Sequence, residues 1–226
     1  ENVPLKKVYL GRDINYSAVY YSPFYRNRNI SDFTFSNKVT TINRSFFIGC
    51  TGLESITIPN SVTTICNNGF CDCTNLKTII IEDGDKSLTI QSYSEQTVSG
   101  TFSNCSIDSM YIGRNVYFDN KTEHTFDHAT LRCVYIKGRI TGHFTPFFGN
   151  DLKTVYLDYN TCPAFMGLAI RDFYCLPTQV IPVNHTDFKD SMTDITTLHV
   201  PSPLIKDYKA HDVWSSFGNI IGIDGY

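Results

Sequence analysis

The chain has 226 residues, of which 42% are hydrophobic and 18% charged, and its 19 Lys and Arg side chains against 22 Asp and Glu give a formal net charge of −3. This balance lies outside the range of disordered proteins, and the chain is long enough to bury a core. Positive charge is not concentrated anywhere, and no apolar run reaches the roughly 20 residues of a membrane helix. We therefore expect a folded chain that neither binds nucleic acid nor inserts into a membrane.

One short pattern returns along the chain: an apolar residue, two others, an apolar residue, one other, and a third apolar residue. In chain order it occurs at Leu5/Val8/Leu10, Ile30/Phe33/Phe35, Leu53/Ile56/Ile58, Leu76/Ile79/Ile81, Ile107/Met110/Ile112, Leu131/Val134/Ile136, Leu152/Val155/Leu157 and Ile195/Leu198/Val200. Successive starts are 25, 23, 23, 31, 24, 21 and 43 residues apart. The last three positions alternate with period 2, which predicts one short strand per copy with one buried face.

A second pattern precedes most of these strands, a phenylalanine followed three residues later by a small side chain. Its copies are Phe24/Asn27, Phe47/Cys50, Phe70/Cys73, Phe102/Cys105, Phe126/Ala129 and Phe147/Asn150. A position that accepts Cys, Ala and Asn is typical of a narrow slot on an inner wall, where a thiol acts as a compact hydrophobe. Because the two patterns keep one phase, we predict a solenoid of parallel strands in which each coil makes one strand and returns beside its predecessor.

The repeat is interrupted twice and ends before the C-terminus. It is stretched over about 82–101 and hard to follow over about 158–194, although a phenylalanine at 188 fits the second pattern. The last segment, 201–226, contains large apolar residues: Leu204, Tyr208, Val213, Trp214 and Phe217. Since a solenoid must cover the apolar end of its last coil, we expect one domain with a solenoid over 1–200 and a cap over 201–226.

The copies over 47–81 carry a family resemblance. Their motif is Leu-x-x-Ile-x-Ile-Pro-x-x-Val-x-x-Ile followed by Phe-x-x-Cys-x-x-Leu. It resembles the 23-residue leucine-rich repeat of BspA-type bacterial surface proteins, a family that is also found in treponemes and some protozoan parasites. The similarity extends over about 5–157 and resumes at 195–200. It implies a leucine-rich-repeat solenoid with a parallel strand ladder, few short helices and a C-terminal cap, and it leaves the curvature unassigned.

The register of the repeat identifies the residue of each strand that must point outward, between the last two apolar positions. These residues are Tyr9, Thr34, Thr57, Ile80, Tyr111, Tyr135, Tyr156 and His199. Adjacent exposed tyrosines provide amphipathic contact area at low entropic cost, as binding interfaces do. We predict a ligand-binding site at Tyr111, Tyr135, Tyr156, Ile80 and His199; the alternative is that the aromatic pairs only stabilise the sheet.

No residue pattern predicts chemistry. The chain lacks the G-x-S-x-G, H-E-x-x-H, Walker and G-x-G-x-x-G motifs, so we expect no catalytic residues, no cofactor and no metal. Cys66, Cys71 and Cys73 have the wrong spacing for zinc, and His124 and His128 flank a phenylalanine of the repeat. Cys162 and Cys175 lie in the second interruption, where a disulfide and two free thiols both remain open.

The resemblance implies a function as well as a fold. It predicts a non-enzymatic recognition module that binds a host or cell-surface protein or glycan, with host extracellular matrix among the candidates, in the manner of an adhesin. The alternatives are a spacer that holds another domain away from the cell surface and, less favoured, a glycan-processing enzyme with its site in 158–194. The chain begins with Glu1 and shows no signal peptide, so we expect a mature exported form or a trimmed chain, extracellular or at the cell surface, and we assume a monomer.

Overall fold

The computed structural model describes residues 4–16, 22–92, 100–120, 125–142, 145–148 and 150–225. Its strands are short and follow one another at repeat-length intervals. In chain order they are β1 (Lys7–Leu10), β2 (Asp32–Phe35), β3 (Thr41–Ile42), β4 (Ser55–Ile58), β5 (Thr64–Ile65), β6 (Thr78–Ile81), β7 (Leu88–Ser92), β8 (Ser106–Ile112), β9 (Val116–Asn120), β10 (Thr130–Ile136), β11 (Ile140–Gly142), β12 (Thr154–Leu157), β13 (Asp172–Cys175), β14 (Thr197–Pro201) and β15 (Asn219–Ile223).

Parallel pairing arranges these strands into a solenoid, as predicted. An eight-stranded main sheet has the order β15-β14-β13-β12-β10-β8-β6-β4, and β1 pairs with β2 in a separate two-stranded sheet. A five-stranded sheet, β11-β9-β7-β5-β3, forms a second wall. The expectation of one strand per coil was therefore wrong for five coils. Strands as short as Thr64–Ile65 contain one buried and one half-buried residue, which is too little to produce an alternating sequence signal.

Each main-sheet strand has one face in the core. In β4, Ile56 and Ile58 are buried while Ser55 and Thr57 are exposed, and β6 follows with Ile79 and Ile81 inside. Pairing joins equivalent residues of successive coils, for example Ile56 with Ile79. Because a slip by one residue would turn the buried face outward, the apolar alternation fixes this register.

The phenylalanines of the second pattern form a continuous stack inside the solenoid. Ring centroids along it are separated by 6.0 Å for Phe24–Phe47, 5.0 Å for Phe47–Phe70, 5.4 Å for Phe70–Phe102, 5.3 Å for Phe102–Phe126, 6.2 Å for Phe126–Phe147, 5.6 Å for Phe147–Phe165 and 6.2 Å for Phe165–Phe188. All of these rings are buried. We call this array the inner stack; it places each coil over the one before.

The small-residue slot beside the inner stack is built as the sequence predicted. Cys50, Cys73 and Cys105 are buried free thiols, each of which donates a hydrogen bond to the carbonyl of the phenylalanine one coil earlier, at 3.0, 3.0 and 3.1 Å. Further along, Ser191 makes the same contact to the carbonyl of Phe165. The slot thus satisfies a backbone acceptor in each of these coils.

The interruption at 158–194 contains a further coil with the regular apolar spacing of the repeat. Ile170, Phe173 and Cys175 are buried in the three apolar positions, so the 43-residue spacing is really 18 residues to Ile170 and 25 to Ile195. Phe165 and Phe188 continue the inner stack. In the next coil, Ile195 is 56% exposed because a 3-10 helix, Thr193–Ile195, turns it outward.

The C-terminal segment combines short helices with a strand. It contains 3-10 helices at Ser202–Leu204 and Trp214–Ser216, the helix α1 at Ile205–Ala210, and β15, which extends the main sheet. Another 3-10 helix, His185–Phe188, lies upstream. Tyr208 and Trp214 are fully buried, and the Trp214 indole donates to the carbonyl of Ile181 at 2.8 Å. Among the described residues, no helix has the length and apolar character needed to span a membrane.

Candidate binding surface on the strand ladder

The outward residues of the main sheet form one column, because parallel pairing is in register. Tyr111 pairs with Ile80 and with Tyr135, and Tyr135 pairs with Tyr156. The column continues through residues at the same position of the next three strands: Tyr174, His199 and Ile221. We call Tyr111, Tyr135, Tyr156, Tyr174 and His199 the aromatic ladder.

The rings of the aromatic ladder stack on one another along the solenoid. Centroids are separated by 5.4 Å for Tyr111–Tyr135, 5.7 Å for Tyr135–Tyr156, 4.5 Å for Tyr156–Tyr174 and 4.0 Å for Tyr174–His199, with interplanar angles of 32°, 19°, 15° and 11°. These distances follow the roughly 4.8 Å between neighbouring strands. Each ring therefore covers the faces of its neighbours and leaves mainly its edge towards solvent.

Aliphatic side chains lie at the two ends of the aromatic ladder. Ile80 is 38% exposed next to Tyr111, and Ile221 is 37% exposed next to His199. The five rings between them are half-buried. The result is a straight strip of apolar edges on the outer face of the main sheet.

Carboxylates hold the polar groups of the aromatic ladder. The Tyr111 hydroxyl donates to Asp83 Oδ1 at 2.5 Å, and Lys137 Nζ lies 3.1 Å from the other oxygen of the same carboxylate. The hydrogen bond from Tyr111 lowers the pKa of Asp83, while burial raises the pKa of Tyr111. At neutral pH the tyrosine therefore stays protonated and donates to a charged acceptor.

The same arrangement recurs along the column. The Tyr135 hydroxyl donates to Asp158 Oδ2 at 3.0 Å, and His199 Nε2 lies 2.9 Å from Asp172 Oδ1. Asp158, like Asp83, follows the end of a strand. These bonds restrict the rotation of the rings, so the surface is ordered before any partner arrives.

Sequence reasoning located most of this column. Ile80, Tyr111, Tyr135, Tyr156 and His199 do lie in one register position, side by side except for the gap filled by Tyr174. Tyr174 was missed because its coil lies in the interruption. The signal that could have found it is Ile-x-x-Phe-Tyr-Cys, which keeps the spacing of the repeat with less common residues.

Other singled-out residues do not join this surface. His128 is an exposed side chain 3.6 Å from Asp127, and His124 lies outside the described residues. Cys162 and Cys175 are free thiols whose pKa values burial raises. Tyr9 and Thr34 occupy the same repeat position as the aromatic ladder but belong to the separate β1–β2 sheet.

The fold and the column define a leucine-rich-repeat solenoid that presents a strip of aromatic edges. Residues 17–122 match the family model described as the BspA type leucine rich repeat region, in six copies. This match confirms, over these residues, the resemblance seen in the sequence. The crystal structure of the pneumococcal vaccine antigen PcpA is similar over 98% of this chain and 69% of that chain, at 17% identity and a TM-score of 0.38. No curated protein sequence matches the chain.

Proposed function

We propose that this leucine-rich-repeat module is a non-enzymatic recognition domain and that the aromatic ladder binds a partner protein. The observation behind the proposal is the pre-ordered strip itself, in which stacking and the hydrogen bonds to Asp83 and Asp158 fix half-exposed tyrosines. Binding costs less entropy when the side chains are already held in place. Tyrosine also provides a large contact area with only two rotatable torsions.

The ring geometry favours a protein over a glycan as the partner. A sugar stacks on the open face of an aromatic ring, whereas the faces of Tyr156 and Tyr174 cover each other at 4.5 Å and 15°. What remains available is a row of apolar ring edges with polar tips, bordered by Ile80 and Ile221. Such a row suits the mixed apolar and hydrogen-bonding contacts of a protein interface.

We further propose that the module works outside the cell, at the cell surface or in the medium, as an adhesion domain towards host or matrix proteins. The support is the BspA-type repeat within 17–122, a repeat that the sequence resemblance links to bacterial surface proteins. Nothing in the aromatic ladder resembles a catalytic arrangement, because its carboxylates are bonded to tyrosine and histidine side chains rather than paired as acid and base.

The test is a binding screen of the purified chain against immobilised extracellular-matrix proteins and polysaccharides, followed by substitution. Changing Tyr135, Tyr156 and Tyr174 together to Ser should lower affinity for any protein captured by at least about tenfold, since central interface tyrosines are frequent hot spots. Tyr117→Ser is the matched control, because Tyr117 is 45% exposed on the second sheet. Unchanged binding by the triple variant would exclude the aromatic ladder as the site.

A spacer module would give a different experimental outcome. If the stacked rings only stabilise the sheet, the screen finds no partner and the triple variant loses thermal stability. A recognition surface predicts the reverse pattern, a clear loss of affinity with a small change in melting temperature.

A further inference from the structure

The main face of the solenoid has a gap between its second and third coils. Among the described residues, no ladder hydrogen bond joins β2 to β4, although β1 pairs with β2 and β4 pairs with β6 over four residues each. The two coils remain connected behind the gap, where β3 pairs with β5. The gap is a cleft of about 310 Å³ that opens on the same face as the aromatic ladder.

Two features of the sequence favour the opening. After most strands of the main face, the following residue donates its N–H to the previous coil, as Glu82 does to Ile58 and Ser36 to Leu10. Pro59 stands at that position in the third coil and has no N–H to donate. In addition, the inner face of β2 carries two phenylalanine rings, Phe33 and Phe35, 4.9 Å apart, where β4 carries isoleucines.

The cleft is rich in hydrogen-bond acceptors. Phe33 and Phe35 of β2 border it, and among the described residues no ladder hydrogen bond from the third coil reaches their carbonyls, because β4 forms none and Pro59, which would face Phe35, has no N–H. Two exposed carboxylates also line it, Asp32 from β2 and Glu82 from the neighbouring coil. The exposed Lys7 amine is 3.3 Å from Asp32, and Glu82 accepts from the Asn60 backbone at 3.2 Å and also interacts with the charge of the buried Arg114 guanidinium. Hydroxyls complete the lining: Ser31, Thr34, Ser55 and Thr57.

We propose that this cleft is a receptor for one arginine side chain of a protein partner. Five donors in a planar fork suit a site that offers several carbonyls and two carboxylates, and the positive charge complements the carboxylates. The volume lies at the lower end of ligand pockets, which fits a single side chain rather than a larger ligand. This site does not depend on the aromatic ladder.

The protein itself uses the same chemistry next to the cleft. Arg114 is 2% exposed, and its guanidinium donates to the carbonyls of Pro59 at 3.0 Å, Asn60 at 2.7 Å and Val62 at 2.8 Å. Pro59 contributes both to this internal site and to the wall of the cleft. The chain around Pro59 therefore already holds one guanidinium through backbone carbonyls.

The experiment uses a minimal probe, N-acetyl-arginine methylamide, titrated into isotope-labelled full chain and followed by amide NMR at low ionic strength. The matched probe is the citrulline analogue, which has the same shape without the charge. We expect saturable shifts for the arginine probe at the amides of Thr34, Ser55 and Thr57, and at least about fivefold weaker binding of citrulline, the loss expected for about one exposed ion pair.

Two variants locate the site. Glu82→Gln should weaken binding of the arginine probe about three- to fivefold, as removal of one partly screened charge does. Glu54→Gln removes an equal charge from the residue that precedes β4. Because Glu54 lies outside the cleft, this variant should bind the arginine probe almost as well as wild type. The Tyr135, Tyr156 and Tyr174 triple variant should bind the probe like wild type, which separates this proposal from the aromatic ladder.

Four results would each overturn the proposal. The two probes could bind with equal affinity, or the Glu82 and Glu54 variants could have equal effects. The shifts could also be confined to residues outside the cleft, or no saturable shifts could occur up to the solubility of the arginine probe.

Discussion

The inner stack and the aromatic ladder are built by the same periodicity and differ in their surroundings. Both place one ring per coil over the next at about the strand spacing, with centroids 5.4 Å apart for Phe70–Phe102 and 5.4 Å apart for Tyr111–Tyr135. The phenylalanines are buried, whereas the tyrosines are half-buried, and the hydroxyls of Tyr111 and Tyr135 donate to carboxylates.

Stacking by itself is therefore not a sign of function. Any side chain that recurs in phase along a solenoid meets its copy in the next coil, so a stack follows from register. Burial determines how much a stack contributes to stability, because the free energy follows the apolar area removed from water. Exposed rings contribute less to stability and remain available for contact with a partner. Four predictions test this difference between the inner stack and the aromatic ladder.

The largest effect should come from the end of the buried array. Trp214 packs 5.3 Å from Phe188, is fully buried, and satisfies the carbonyl of Ile181. Trp214→Ala should therefore lower the free energy of unfolding by about 5 kcal/mol, the upper end for large core truncations. Denaturant unfolding measures this value, and a loss below about 1 kcal/mol would show that the C-terminal segment does not close the core.

A truncation within the inner stack should cost slightly less. Phe102 is fully buried between Phe70 and Phe126. Phe102→Ala should lower the free energy of unfolding by about 4 kcal/mol through lost transfer energy and a cavity. Denaturant unfolding again measures it, and Phe102→Leu, which fills part of the space, should recover more than half of the loss.

The thiols next to the inner stack should make the protein sensitive to alkali. Burial raises the pKa of Cys50 to about 12, against about 8.5 in an unfolded chain. Above about pH 8.5 the unfolded thiol ionises while the folded one stays protonated, so stability is complete below that pH and falls as pH rises towards 12. Each such thiol contributes a slope of about 1.4 kcal/mol per pH unit in this window.

Cys50→Ala removes the contribution of one thiol to this pH dependence of the free energy of unfolding. Alanine fits the slot, as Ala129 shows. From pH 9 to 10.5, unfolding in urea should show wild type losing about 2 kcal/mol more than the variant. Parallel curves for the two proteins would contradict the burial of the Cys50 thiol. The comparison concerns slopes, so the cost of the substitution at neutral pH does not affect it.

The smallest effect should come from the aromatic ladder. Tyr135 lies between Tyr111 and Tyr156 and is half-buried. Tyr135→Ser should lower the free energy of unfolding by no more than about 1 kcal/mol, the range for cross-strand pairs. A loss as large as that of Phe102→Ala would erase the distinction between the two stacks, and the ladder would then be a second core.

The sequence predicts the columns of this fold because two patterns with fixed phase determine which residues become neighbours. Ile56 and Phe70 could be placed from their repeat positions alone. The coil of Tyr174 was missed because it starts 18 residues after its predecessor and has Phe173 and Cys175 where most other coils have aliphatic residues. The two-residue strands of the second sheet, such as Thr41–Ile42, produce no detectable alternation, whereas Leu88–Ser92 does alternate and was missed because it lies in the first interruption of the repeat.

The contacts that order the candidate site were also beyond the sequence. Asp83 and Asp158 lie after their strands, where the path of the chain is not periodic, so their bonds to Tyr111 and Tyr135 depend on loop geometry. The gap between β2 and β4 has a similar origin. Pro201 occupies the position of Pro59 in a later coil, and β14 there still pairs with β13. A proline alone therefore does not predict an opening.

The gap also determines how the solenoid would bear a mechanical load. A pull along its axis passes from coil to coil through hydrogen bonds, and within the part of the chain that the structure describes no ladder hydrogen bond joins the second and third coils on the main face. The load there must pass through the pairing of Thr41 with Thr64 and Ile42 with Ile65, and through turn contacts such as Phe47 N to Gly69 O at 2.8 Å. Under tension, the first two coils should separate from the rest before the long pairing of β8 with β10 yields.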